Sequence, residues 1–186
     1  MKSRQKILAI CGSTRSSSTN LNLIRAIINL CSNNIDIRIF NCLPEIPHFN
    51  PDLDNDKPPG EVANFRRELR EADGILVCTP EYAMGVPGTL KNAIDWTVSS
   101  MEFSHKPVGL ITASTAGEKA HHSLMATLRV IEADIPDTSQ LLISHVKTKL
   151  KEDSIIDPYT LECVKDLIRS LINVIEKQQK AFLSDR

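Results

Sequence analysis

Ile7-Leu8-Ala9-Ile10-Cys11-Gly12-Ser13-Thr14-Arg15-Ser16-Ser17-Ser18-Thr19-Asn20 decides how this chain is read. A short apolar run ends in a glycine, then in hydroxyl residues and one arginine, and then opens an apolar-periodic segment. A strand that leads through such a loop into a helix makes an anion site. Backbone N–H groups, hydroxyls and the positive end of the helix converge on one phosphate. The spacing excludes two common nucleotide loops, because neither G-x-x-x-x-G-K-[ST] nor G-x-G-x-x-G is present. What remains is G-S-x-R-x-x-S-x-N. Ser13, Ser18, the Asn20 amide and the Arg15 guanidinium could enclose a terminal phosphate monoester. The plainer alternative is a serine-rich turn with a helix cap.

Working outward, short β-branched runs alternate with helical patterns. This order predicts βα units and a parallel sheet. The expected strands are Lys6–Cys11, Asp36–Phe40, Gly74–Thr79, Val108–Ala113 and Gln140–Ser144. Helical stripes fall on Leu21, Ile24, Ile27, Ile28 and Cys31, then on Val62, Phe65, Leu69 and Ala72. The third uses Leu90, Ala93, Ile94 and Val98, and the fourth Ala120, Leu124, Leu128 and Ile131. Asp157-Pro158 opens a last helix striped by Leu161, Val164, Ile168, Leu171 and Ile175. Five such units fit a flavodoxin-like doubly wound α/β sheet with ligands at the carboxyl ends of its strands. Residues 41–60 interrupt the pattern with Pro44, Pro47, Pro51, Pro58 and Pro59, and read as a rim or subunit-contact segment.

The 186 residues, spanning 1–186, are expected to form one domain. A net charge of −1 gives no reason to expect nucleic acid or an anionic membrane surface as partner. Five scattered cysteines without a C-x-x-C pair suggest a reducing cytoplasm rather than a disulfide framework. Cys11 and Cys78 read as small buried hydrophobes. The amino terminus lacks the apolar region of a signal peptide, and no stretch reaches transmembrane length. His121-His122 would point about 100° apart on a helix and find no third ligand, so no metal is expected. His48 reads as a surface histidine, and Lys147-Thr148-Lys149-Leu150-Lys151 as a solvated strand end.

After the third strand comes Thr79-Pro80-Glu81-Tyr82-Ala83-Met84-Gly85-Val86-Pro87-Gly88-Thr89-Leu90-Lys91-Asn92-Ala93-Ile94-Asp95-Trp96. Its prolines and glycines shape a loop where Tyr82 could lie beside a planar ring. Trp96 and Asp95 read as structural. Together, G-S-x-R-x-x-S-x-N and P-E-Y-x-x-x-x-P-G-x-L-K-N-A-I-D-W resemble the NADPH-dependent FMN reductase family, from the first strand to about Arg129.

The resemblance implies a sheet of order 2-1-3-4-5 and a cytoplasmic flavoprotein oxidoreductase. Hydride would pass in ping-pong fashion from transient NAD(P)H through bound FMN to a quinone, azo compound, free flavin or chromate. The flavin carries the chemistry, so no catalytic side chain is expected. It assigns the phosphate to Ser13, Arg15, Ser18 and Asn20, with Thr19 and Leu21 beside them. The ring edge falls to Pro80, Glu81, Tyr82 and Ala83, and its other side to Ser114, Thr115 and Gly117. A homodimer or homotetramer is implied. Two departures stand out: Ala83 where many members carry asparagine, and a glycine-poor Ser114-Thr115-Ala116-Gly117-Glu118-Lys119-Ala120 loop. The alternatives are a flavodoxin-like electron carrier and a non-catalytic relative.

Overall fold

The computed structural model describes residues 4–31 and 35–184. Strands β1 (Gln5–Cys11), β2 (Ile35–Phe40), β3 (Gly74–Thr79), β4 (Val108–Ala113) and β5 (Gln140–Ile143) form one parallel sheet in the order β2-β1-β3-β4-β5. Every residue of β3 and β4 is buried, which is why both read as unbroken apolar runs rather than alternating ones. β2 lies at an edge and alternates, with exposed Asp36 and Arg38 discouraging further strand pairing.

Helices α1 (Thr19–Leu30) and α5 (Pro158–Ser184) cover one face of the sheet, meeting Ile7, Ala9, Leu76 and Ile111. On the opposite face α2 (Gly60–Glu71), α3 (Gly88–Asp95) and α4 (Glu118–Val130) meet Leu8, Ile10, Val77 and Leu110. Such two-sided winding brings the loops after β1, β3, β4 and β5 together at the carboxyl end of the sheet. Two caps follow the sequence reading. Ser18 Oγ accepts from the Leu21 N–H at 3.3 Å, and Asp157 Oδ2 accepts from the Thr160 N–H at 2.8 Å.

Three details differ from expectation. The third helix ends at Asp95, leaving Val98 exposed, because the chain turns through left-handed Met101 and His105 to reach β4. A small hairpin, β6 (Leu150–Lys151) with β7 (Ser154–Ile155), intervenes between β5 and α5. Buried residues also include Met125 on α4 and Leu167 on α5, while Leu161 is only half-buried.

The proline-rich segment 41–60 is strapped to α3. The Phe49 N–H donates to Asn92 Oδ1 at 2.7 Å, and Asn92 Nδ2 donates to the Pro47 carbonyl at 2.9 Å. Trp96 Nε1 reaches the same carbonyl at 2.8 Å. Arg66 Nη2 adds an ion pair to Asp54 at 2.6 Å, which Ser99 also contacts at 2.6 Å. Asn92 and Trp96 of the long motif therefore hold this segment in place, while His48 stays exposed.

Candidate functional site

The four loops enclose a cleft of about 390 Å³ lined by Ser13, Arg15, Ser18, Thr19, Asn20, Pro80, Glu81, Tyr82, Ala113, Ser114, Thr115, His145, Val146, Lys147 and Thr148. Its floor begins at Gly12, whose N–H donates to the Cys78 carbonyl at 2.8 Å. A Cβ there would collide with the Thr79 side chain and come within 3.0 Å of Leu90, so the first loop needs glycine to sit this low on the sheet.

Arg15 is exposed and has no ion-pair partner among the described residues. Ser18 is buried, uses its oxygen as the α1 cap and contacts Cys11 Sγ at 3.8 Å through its hydroxyl. No acidic residue occupies the first turn of α1, so the amide end of the helix dipole is uncompensated there. Asn20 is placed differently from the sequence expectation. It is buried, its Nδ2 donates to the Ala113 carbonyl at 3.0 Å, and its Oδ1 accepts from Cys78 Sγ at 3.2 Å. The amide thus ties the first turn of α1 to β4 and β3.

The two buried thiols support the same loop from beneath. Cys11 Sγ donates to the Ser13 carbonyl at 3.3 Å. Burial raises the pKa of Cys11, partly offset by its bonds to Ser13 and Ser18, and pushes Cys78 well up. Both therefore remain thiols, unsuited to nucleophilic work.

Of the other expected residues, Leu21, Ala83 and Gly117 do not line the cleft. Leu21 packs against the α1–α5 core and borders a recess of about 210 Å³ shared with Arg15, Asn41 and Leu43. Gly117 begins α4 at φ 105°, where a Cβ would approach Leu142 to 2.8 Å, so its role is conformational. Ala83 and Met84 form the tip of a tight turn, with φ 48° and 63°. Reciprocal hydrogen bonds of 2.8 and 2.9 Å between Tyr82 and Gly85 close it. This geometry favours Asn-Gly, and both present residues adopt it at a cost. Ala83→Asn combined with Met84→Gly is expected to raise stability by about 1 kcal/mol in urea unfolding.

Sequence reasoning missed His145, Val146, Lys147 and Thr148. The Lys147 segment does not merely end a strand: the His145 N–H donates to the Thr115 carbonyl at 3.1 Å and the Val146 N–H to Ser114 at 3.1 Å. This zipper holds the loop against the end of β4 and brings Lys147 into the lining of the cleft that Arg15 also lines. No motif marks it. The available signal was topological, since β5 neighbours β4 and must end at the same rim.

His121 faces away from the cleft, pairing through Nδ1 with Thr112 Oγ1 at 2.9 Å and through Nε2 with Gln140 Oε1 at 3.0 Å. An Nε2–H tautomer satisfies both contacts. Burial lowers its pKa below the ordinary 6.5, more than the Gln140 bond raises it. Below that value the unfolded chain binds a proton that the folded chain resists. The stabilising contribution is therefore complete above 6.5 and declines as pH falls through 6.5 toward the folded pKa. His121→Gln is expected to flatten the difference between urea midpoints at about pH 8 and about pH 5.5.

The doubly wound sheet and its cationic, hydroxyl-rich cleft define a flavodoxin-like site for a phosphorylated planar ligand. Residues 5–148 match the model of the NADPH-dependent FMN reductase family, and the chain belongs to that family of oxidoreductases. An NAD(P)H-dependent FMN reductase of Pseudomonas aeruginosa is 31% identical over 173 residues, covering 89% of this chain and 92% of the relative. A quinone reductase of Escherichia coli K12 is 26% identical over 170 residues, covering 88% and 87%. Among solved structures, the flavoenzyme FerB, an NAD(P)H:(acceptor) oxidoreductase from Paracoccus denitrificans, superposes with a TM-score of 0.75 at 24% identity, covering 93% and 98%.

The donor set fits FMN. A guanidinium without an ion-pair partner among the described residues, hydroxyl groups and α1 amides suit a phosphate monoester, and the loops at 80–82 and 114–115 flank the space beside it.

Proposed function

We propose that this chain transfers hydride from NAD(P)H, through FMN held in the cleft, to a small acceptor such as a quinone. The observation that carries this reading is the meeting of Arg15, the α1 amino terminus and the 80–82 and 114–115 loops in one cleft. Arg15, Ser13, Ser18 and Thr19 hold the phosphate, and Asn20 fixes their helix from below. Main-chain groups of Pro80, Glu81 and Tyr82 orient one edge of the ring, with Ser114 and Thr115 opposite. Tyr82, 46% exposed and 3.3 Å from Ser13 Oγ through its hydroxyl, screens the mouth. FMN, when bound, supplies the ring that accepts and returns hydride. The protein's contribution is position, a low-dielectric wall and access.

An electron-carrier role is disfavoured by the net charge of −1, since no acidic excess is available to steer a protein partner. We further propose one domain over residues 1–186, a cytoplasmic setting and a homodimer or homotetramer. Exposed Met84, Val98 and Met101 support association. No helix among the described residues is long and apolar enough to cross a membrane.

Steady-state kinetics of the FMN-loaded protein, varying NADPH at several benzoquinone concentrations, test the reaction scheme. Parallel double-reciprocal lines are expected. Intersecting lines overturn the ping-pong order, and failure to turn over quinone, azo dye or free flavin overturns the enzyme reading in favour of a carrier.

A further inference from the structure

Glu81 stands in the ring-edge motif and lines the cleft, and its carboxylate reaches across to α4. Glu81 Oε2 accepts from the Ala120 N–H at 3.0 Å, while its own main-chain N–H donates to Ser114 Oγ at 3.3 Å. Helix α4 needs this outside partner. Its own cap position is Gly117, which has no side chain to offer and makes no side-chain cap bond. A residue from the loop after β3 therefore caps the helix that follows β4, and its carboxylate adds a second tie between the cleft walls beside the main-chain bond to Ser114.

The bond carries charge as well as position. A carboxylate at a helix amino terminus offsets the positive end of the dipole. The same helix end adjoins Ser114 and Thr115 on the cleft wall. Resting on the FMN reading above, we propose that Glu81 is a positioning residue that fixes the spacing between the two ring-flanking loops and, through its charge, lowers the reduction potential of the bound flavin. Removing the charge while keeping the hydrogen bond leaves Glu118 as the carboxylate in the first turn of α4 and makes the helix end more positive, which favours the more negative, reduced form of the ligand. Removing the side chain leaves only the main-chain bond to Ser114 between the two loops at this point and loosens their spacing.

E81Q and E81A separate these effects, with FMN dissociation constants from flavin fluorescence quenching, midpoint potentials of the loaded proteins, and thermal unfolding of the unloaded ones. E81Q retains an acceptor for Ala120 and is expected to bind FMN within about threefold of wild type. Its midpoint potential is expected to rise by at least about 14 mV, equivalent to a threefold gain in reduced-over-oxidised binding for a two-electron couple. E81A is expected to weaken FMN binding about tenfold or more, with E81Q rescuing it. An unchanged or lowered potential in E81Q overturns the proposal, and decides it even if E81A does not fold. Equal FMN affinity in E81A and wild type, with only the unfolding temperature reduced, overturns it as well and makes Glu81 a structural cap. If wild type takes up no FMN, the flavin reading itself has failed. The proposal alone fails when wild type binds FMN and both variants match it.

Discussion

Arg15→Ala lowers FMN affinity by about ten- to 150-fold, the loss of a charge-assisted contact of about 1.5–3 kcal/mol. Arg15 is the cation of the first loop, and nothing among the described residues competes for it as an ion-pair partner. Its removal should therefore leave the unfolding midpoint of the unloaded protein unchanged. Arg15→Lys keeps the charge and loses the planar fork, so it should fall between wild type and alanine. Fluorescence titration with FMN measures all three. Equal affinity in wild type and Arg15→Ala would remove Arg15 from the phosphate site and leave Lys147, which lines the same cleft, as the cation to test.

Trp96→Ala is expected to cost about 3–5 kcal/mol, a large part of the roughly 5–15 kcal/mol available to a domain. The side chain is fully buried beneath the 41–60 segment, where Phe49 meets it edge-on at 5.0 Å and Pro47 accepts its indole proton. Truncation opens a cavity and releases the strap together. Trp96→Phe keeps most of the volume, and Pro47 retains the Asn92 bond at 2.9 Å, so about 1–2 kcal/mol is expected. Urea unfolding followed by circular dichroism gives both values, since Trp96 is the sole tryptophan and fluorescence loses its reporter.

Much of this was legible because local chemistry and tertiary context agree. Ile7–Cys11 is an apolar run broken by a glycine that the sheet requires, and Ser18 caps α1 as its residue type suggests. The loop after β1 and the Pro80–Tyr82 loop meet because adjacent strands β1 and β3 end together. What escaped was set by partners distant in sequence. Asn20 lines the cleft as expected, but its bonds to β4 and β3, 93 and 58 residues away, could not be read from its place in the loop. Val98 continues a helical stripe that the turn at Met101 ends. Lys147 has no motif and enters the cleft only because its neighbours zip onto Ser114 and Thr115. Glu81 sits in a motif whose one-dimensional reading points at the ring, whereas its carboxylate serves α4.

The visible absorption spectrum of the FMN-loaded protein, recorded anaerobically before and after NADPH and then after a quinone, tests the flavin reductase assignment most directly. Oxidised-flavin bands should bleach within seconds of adding NADPH and return with the quinone. Bands that persist with both NADPH and NADH, or a protein that takes up no flavin, would contradict it.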